Sequence, residues 1–171
     1  GINALRIFLN SLSIVPELQD KIERSLSDKY KVIAQGENTR FNNIELDVTV
    51  QNGQLNLTKA QVLADSFYLE GSGAYDFWEE RVKVQAGVSL PKDLSFSLVE
   101  AIPELSPLLN QNEEIFLPMA PYDGHIKEIV ILPDIAYLTK KIVIGRGKQE
   151  LENLIDKALG NDESSQQNQG Q

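Results

Sequence analysis

The 171-residue chain contains no cysteine and only one histidine, one methionine and one tryptophan. Without cysteine it has no disulfide, no thiolate nucleophile and no cysteine-based zinc site. His125 alone is too little for a metal motif, which draws on two or three His or Cys ligands. Long apolar runs are missing too. None approaches the ~20 residues of a membrane-spanning helix, and no signal peptide is visible. Basic charge is scarce, with 16 Lys and Arg against 25 Asp and Glu, for a formal net charge of −9. That balance argues against a nucleic-acid partner, since phosphate binding wants a basic face. It also disfavours electrostatic docking on anionic membranes, while leaving contact with lipid through apolar surface open. The chain starts with Gly1 rather than Met, so the natural protein is expected to extend in either direction.

What is present is an ordinary globular composition, 42% hydrophobic and 24% charged, in a length that suits one domain with a real core. Ile44, Leu46, Val48 and Val50 alternate with Glu45, Asp47 and Thr49, the period of a half-buried strand. Asn52-Gly53 follows, the pair that a tight type I′ hairpin needs. Leu55 and Leu57 open a second strand, which Ala60 and Val62 continue. Phe67, Leu69 and Gly71 begin a third, and Val82, Val84, Ala86, Val88 and Leu90 form a fourth.

Around this run the spacing turns helical. Ile2, Leu5, Leu9 and Leu12 predict one helix over 2–12. Pro16, with Leu18, Ile22 and Leu26, predicts a second over 16–28. Lys31 to Ala34 reads as a short strand. A short helix over Ser95–Ala101 is followed by a crossing segment interrupted by Pro103 and Pro107. Ile115 to Leu117 makes a brief strand, and His125 to Leu132 returns to strand with a bulge near Lys127-Glu128. Pro133-Asp134 then starts a helix that Gly145 and Gly147 break, and a last helix ends near Gly160. The fold class is α+β: a curved antiparallel meander with helices at both termini covering one face. The division expected is a single domain over 1–160 (helical lead-in 1–40, sheet 41–132, helices 133–160) and a disordered tail over 161–171.

Candidate chemistry is sparse. His125 lies in Asp123-Gly124-His125, yet no serine is marked as its partner by a sharp nucleophile turn. It reads as a partly exposed strand histidine. Glu79-Glu80, Glu113-Glu114 and Asp162-Glu163 are adjacent pairs in turns, loops or the tail, poorly placed for shared acid–base work. Gly145-Arg146-Gly147-Lys148 lacks the first glycine and spacing of a P-loop. Phosphate binding by Arg146 and Lys148 would need a helix to start there. Asn56-Leu57-Thr58 matches a glycosylation sequon, meaningful only in a eukaryotic secretory protein. Phe77 and Trp78, at the turn after Asp76, read as a cap on the end of a core. No cofactor is implied.

Several segments resemble the C-terminal domain of the AsmA-like family of bacterial envelope proteins. They are Val50-Gln51-Asn52-Gly53-Gln54-Leu55-Asn56-Leu57, then Leu69-Glu70-Gly71-Ser72-Gly73-Ala74-Tyr75-Asp76, and later Leu117-Pro118, Tyr122-Asp123-Gly124-His125-Ile126 and Leu132-Pro133-Asp134. The resemblance covers roughly 41–142. It departs from the family in an insertion-like stretch over 92–114 and in not including the usual N-terminal membrane anchor. It implies a non-enzymatic periplasmic domain, anchored to the inner membrane in the full-length protein while this fragment is soluble. The implied role is in outer-membrane biogenesis and in shielding or transport of phospholipid between membranes. A phospholipid or other acyl-chain ligand would then lie on Ile44, Leu46, Val48, Leu55, Leu57, Val82, Val84 and Val88. A covered core is the simpler account of those same residues. Two other readings stand beside it: an envelope protein-interaction module that docks a partner on its sheet edge or its Phe77-Trp78 turn, and a hydrolase centred on His125 and Asp123.

Overall fold

In the computed structural model, which describes residues 3–12, 18–130 and 132–165, five helices and six strands form an α+β fold. Helix α1 (Ala4–Leu12) buries Leu5, Phe8, Leu9 and Leu12, the i, i+3, i+4, i+7 stripe that its sequence spells. Its start is fixed by Asn3, a buried polar residue. The Asn3 side-chain oxygen accepts from the Arg6 N–H at 2.9 Å, as a helix N-cap should. The amide nitrogen donates to the carbonyls of Ile33 (2.6 Å) and Gly36 (2.7 Å). One side chain thus ties the start of α1 to the segment 33–36.

Helix α2 spans Leu18–Ser25, and α3 spans Asp28–Gln35. The second contradicts the strand expected at Lys31–Ala34. Val32 and Ile33 favour strands locally, but Tyr30 is buried against the core and donates to Asp93 at 2.7 Å, an anchor that holds this segment helical. The expected helix over 16–28 therefore holds α2 and only the first residue of α3, and Pro16 and Glu17 lie outside the described residues.

The sheet follows in chain order. Strands β1 (Phe41–Gln51), β2 (Gln54–Ala64), β3 (Tyr68–Asp76) and β4 (Arg81–Ser89) form an antiparallel meander. The far edge of β4 is shared by two short strands: β5 (Phe116–Pro118) pairs with Gly87–Ser89, and β6 (Tyr122–His125) pairs with Arg81–Val84. The strand expected over His125–Leu132 ends at His125. Its change of parity at Lys127-Glu128 is a single 3₁₀ turn, Ile126–Glu128, rather than a bulge, and Ile131 lies outside the described residues.

Helix α4 (Lys92–Ala101) leaves β4 and packs through Leu94 and Leu98. Its buried Ser95 donates to the Leu90 carbonyl at 3.2 Å and accepts from the Ile115 N–H at 2.8 Å. That hydroxyl stitches the exit of β4 to the entry of β5. A 3₁₀ segment, Pro103–Leu108, then crosses beneath helix α5 (Ile135–Ser165). Asp134 caps α5 by accepting from the Tyr137 N–H at 2.9 Å.

Helix α5 runs on through Gly145, Gly147 and Gly160, so neither the expected break nor the expected cap is present. The helix also reaches into the stretch expected to be a disordered tail, as far as Ser165, and residues 166–171 lie outside the described residues. Gly145 follows Leu138 and Ile142 on the buried stripe, and its Cα lies so close to the main chain of Glu104 that a Cβ would overlap the Glu104 carbonyl. The glycine is there for close packing, and the helix tolerates its ~1 kcal/mol of lost propensity. Gly147 faces open space. Gly145→Ala should therefore lower unfolding free energy in urea by about 1–3 kcal/mol through overpacking, whereas Gly147→Ala should raise it by up to about 1 kcal/mol.

Candidate functional site: an apolar face and its aromatic tip

Residues opposite one another in an antiparallel pair share a face, so the register sorts the side chains into rows. Ile44, Val62, Leu69, Val88 and Leu117 form the row next to the helices. Leu46, Ala60, Gly71 and Ala86 come next, then Val48, Leu57, Gly73, Val84 and Tyr122. Val50, Leu55, Tyr75, Val82 and Gly124 form the last row, beside the turns. The opposite face carries Glu45, Asp47, Asn56, Lys59, Glu70, Ser72, Lys83 and Gln85.

A single irregularity keeps this sorting intact. Leu55 and Leu57 are odd-numbered, whereas Ala60 and Val62 are even-numbered, so plain alternation would send the two halves of β2 to opposite faces. Lys59 pairs with Asp47 and Leu57 with Val48, which leaves Thr58 as an extra residue. Its hydroxyl donates to the Asp47 carbonyl at 3.2 Å. The bulge resets the parity. Ala60 and Val62 therefore do not continue the alternation of Leu55 and Leu57, as their sequence suggested; they restart it.

The helices close only one corner of the apolar face. Phe67, Val88, Leu90, Ile115 and Leu117 belong to the same buried cluster as the helical residues Leu5, Leu12, Leu18, Leu94, Leu98, Leu105 and Leu138. Moving away from β5 the cover ends: along the first row Leu117 and Val88 are buried, Leu69 and Val62 half-buried, and Ile44 exposed. On β1, Ile44, Leu46, Val48 and Val50 are 55%, 57%, 45% and 65% exposed. Of the eight residues expected to meet an acyl chain, Ile44, Leu46 and Val48 are open, and Leu55, Leu57 and Val84 are half-buried. Val88 is under the helical layer and Val82 is buried beside β6, so both belong to the covered part of the face.

At the end remote from the helices, two turns meet. Asn52 (φ +51°) and Gly53 (φ +76°) make the left-handed turn their sequence predicts. Across from them Asp76 organises Phe77–Glu80. Its Oδ1 accepts from the N–H groups of Trp78 (2.9 Å) and Glu79 (3.0 Å), and Gln54 donates to Oδ2 at 3.1 Å. The Phe77 N–H donates to the Gly53 carbonyl at 2.9 Å, and the Trp78 indole lies so close over Gly53 that any side chain there would overlap it. Phe77 meets Tyr75 edge-on, with centroids 5.0 Å apart. These aromatics do not cap the core, as a turn position suggested: Trp78 is 83% exposed and Phe77 about half so. The turn's aromatic content was legible, but its distance from the helices was not.

The remaining candidates are engaged elsewhere. His125 Nε2 bonds Glu80 Oε2 at 3.0 Å, and its Nδ1 accepts from the Lys127 N–H. Asp123 does not orient it. Asp123 is bonded to Arg81 at 2.8 Å and lies 3.4 Å from Lys83. Arg146 and Lys148 sit inside α5 rather than at a helix start, which removes the phosphate-binding geometry considered for them. Among the described residues no group of three His, Asp or Glu side chains is placed to hold a metal ion, and no helix is long and apolar enough to cross a membrane. Comparison with models of protein families, with curated proteins and with solved structures finds no match for this chain.

The hydrogen bonds at the tip also set a pH dependence. The Glu79 N–H, then the Gln54 amide and the Trp78 N–H, hold the Asp76 carboxyl below its ordinary range. A carboxylate lowered in the folded state adds stability that is complete above its unfolded value and is lost as pH falls through the folded one. Asp76→Asn should thus be less stable than the parent at pH 7, with the two approaching each other below about pH 4. Thermal melts across that range measure it.

Proposed function

We propose that this chain is a non-enzymatic cell-envelope domain of the AsmA-like kind, which shields or conducts the acyl chains of phospholipid on its apolar sheet face. The location that goes with this reading is the periplasm, on a protein anchored to the inner membrane, with a role in outer-membrane biogenesis. The observation that carries it is the uncovered row of Ile44, Leu46, Val48 and Val50 on β1. Four half-exposed aliphatic side chains in register form a contiguous patch, and such patches mark binding surfaces. Covering them would contribute about 1 kcal/mol each. The adjoining Gly71, Gly73, Ala60 and Ala86 leave the middle of the face low, so a chain laid there meets little relief.

A second reading rests on the edge of β1. It is 11 residues long, pairs only with β2 among the described residues, and carries neither Pro nor Lys, two of the usual blocks to strand addition. An extended segment of an envelope partner could pair there.

The domain purified from bacterial cells should, in native mass spectrometry, carry phospholipid at a defined ratio. Val48→Asp, which places a charge on the open row without touching the helical core, should keep its melting temperature and lose most of that lipid. A lipid-free monomer with the same fold would contradict the shielding reading and leave the edge as the better one.

A further inference from the structure

Trp78 is the chain's single tryptophan and has the most exposed large apolar side chain described. Tryptophan is usually well buried in a folded domain. Trp78 is held in the open, by Gly53 beneath its ring and by Asp76 on its backbone N–H. The Phe77 backbone N–H is held by the Gly53 carbonyl, and its ring meets Tyr75 edge-on. Two aromatic side chains are thereby presented at the outer end of the sheet with their orientation set in advance, which reduces the ordering cost of binding. Val50, 65% exposed, lies in the row nearest the turns, which continues through Leu55 to Tyr75, the residue that meets Phe77.

We propose that this tip is a membrane-contact site, at which Phe77 and Trp78 enter the headgroup region of a zwitterionic phospholipid surface. Indole suits that depth, with an apolar body and one N–H donor. Charge selects the surface. The cations near the tip are committed, Arg81 and Lys83 to Asp123 and Lys127 to Glu80. Exposed Glu79 and the net charge of −9 oppose an anionic one. The inference rests on the acyl-chain reading above and adds where lipid would enter: at the end of the face away from the helices, where the open row meets the tip.

Because Trp78 is alone, its fluorescence reports on the tip directly. Vesicles of phosphatidylcholine and phosphatidylethanolamine should shift its emission to the blue, and phosphatidylcholine brominated in its acyl chains should quench it. Phe77→Ser should weaken the shift, and Trp78→Ser should reduce co-sedimentation with the vesicles about tenfold, the loss expected for one buried aromatic ring. Emission unchanged by vesicles would overturn the proposal and point to a protein surface instead. So would a shift seen only with phosphatidylglycerol and abolished by salt, because that contact would be electrostatic. Uptake of monomeric short-chain phosphatidylcholine, read by native mass spectrometry on the same protein, tests the face separately. Uptake without a vesicle-induced shift rejects the tip alone, and neither response rejects both.

Discussion

Everything distinctive in this structure follows from one mismatch: the apolar face of the sheet is wider than the helical layer that covers it. A β-strand sends alternate side chains to opposite sides, so four apolar-alternating strands in register must create a greasy face of four rows. Water-excluding cover is supplied by the five helices and the 3₁₀ segment, and it gathers at the end of the sheet marked by Ala64, Phe67, Val88, Leu90 and Leu117. That corner has the features of a finished core, with Leu90, Leu94, Leu98, Ile102, Leu105 and Leu117 fully buried. The β1 side has none of them. The fold is stabilised at one corner and left open at the other.

Local devices keep that division sharp. The Thr58 bulge holds both halves of β2 on one face, without which Ala60 and Val62 would turn toward the polar side. Ser95 and Asn3 are buried polar side chains, each satisfied by main-chain partners that fasten one element to another, the condition under which buried polar groups stabilise rather than penalise. Ion pairs such as Arg81–Asp123 and Lys59–Glu45 lie on the polar face at the surface, where each contributes at most about 1 kcal/mol. They mark that face as solvated and contribute little to holding the sheet together.

The strands were legible because their signals are local. Alternation from Ile44 to Val50 and the Asn52-Gly53 turn state a hairpin outright, and β3 and β4 follow with boundaries within a few residues. What escaped the sequence depends on distant partners. Lys31–Ala34 has strand-like composition but is helical because Tyr30 reaches Asp93, 63 residues on. Gly145 looks like a helix breaker until Glu104 is placed against it. The stripe-bearing helices suggested cover for one end or face of the sheet, and periodicity cannot say how far along that face the cover extends. The place of the aromatic tip depends on distant partners in the same way. The sequence shows Phe77 and Trp78 at a turn, but only tertiary structure shows that the core lies at the other end.

The central claim, an apolar face open at β1 and able to take acyl chains, can be tested by giving the cysteine-free chain a single thiol at Leu46. In Leu46→Cys the lipid-free protein should react with a maleimide at the rate of an exposed thiol, and phospholipid should protect it. A thiol already protected without lipid would mean that the face is covered in solution, and one whose reactivity phospholipid leaves unchanged would mean that no acyl chain lies there.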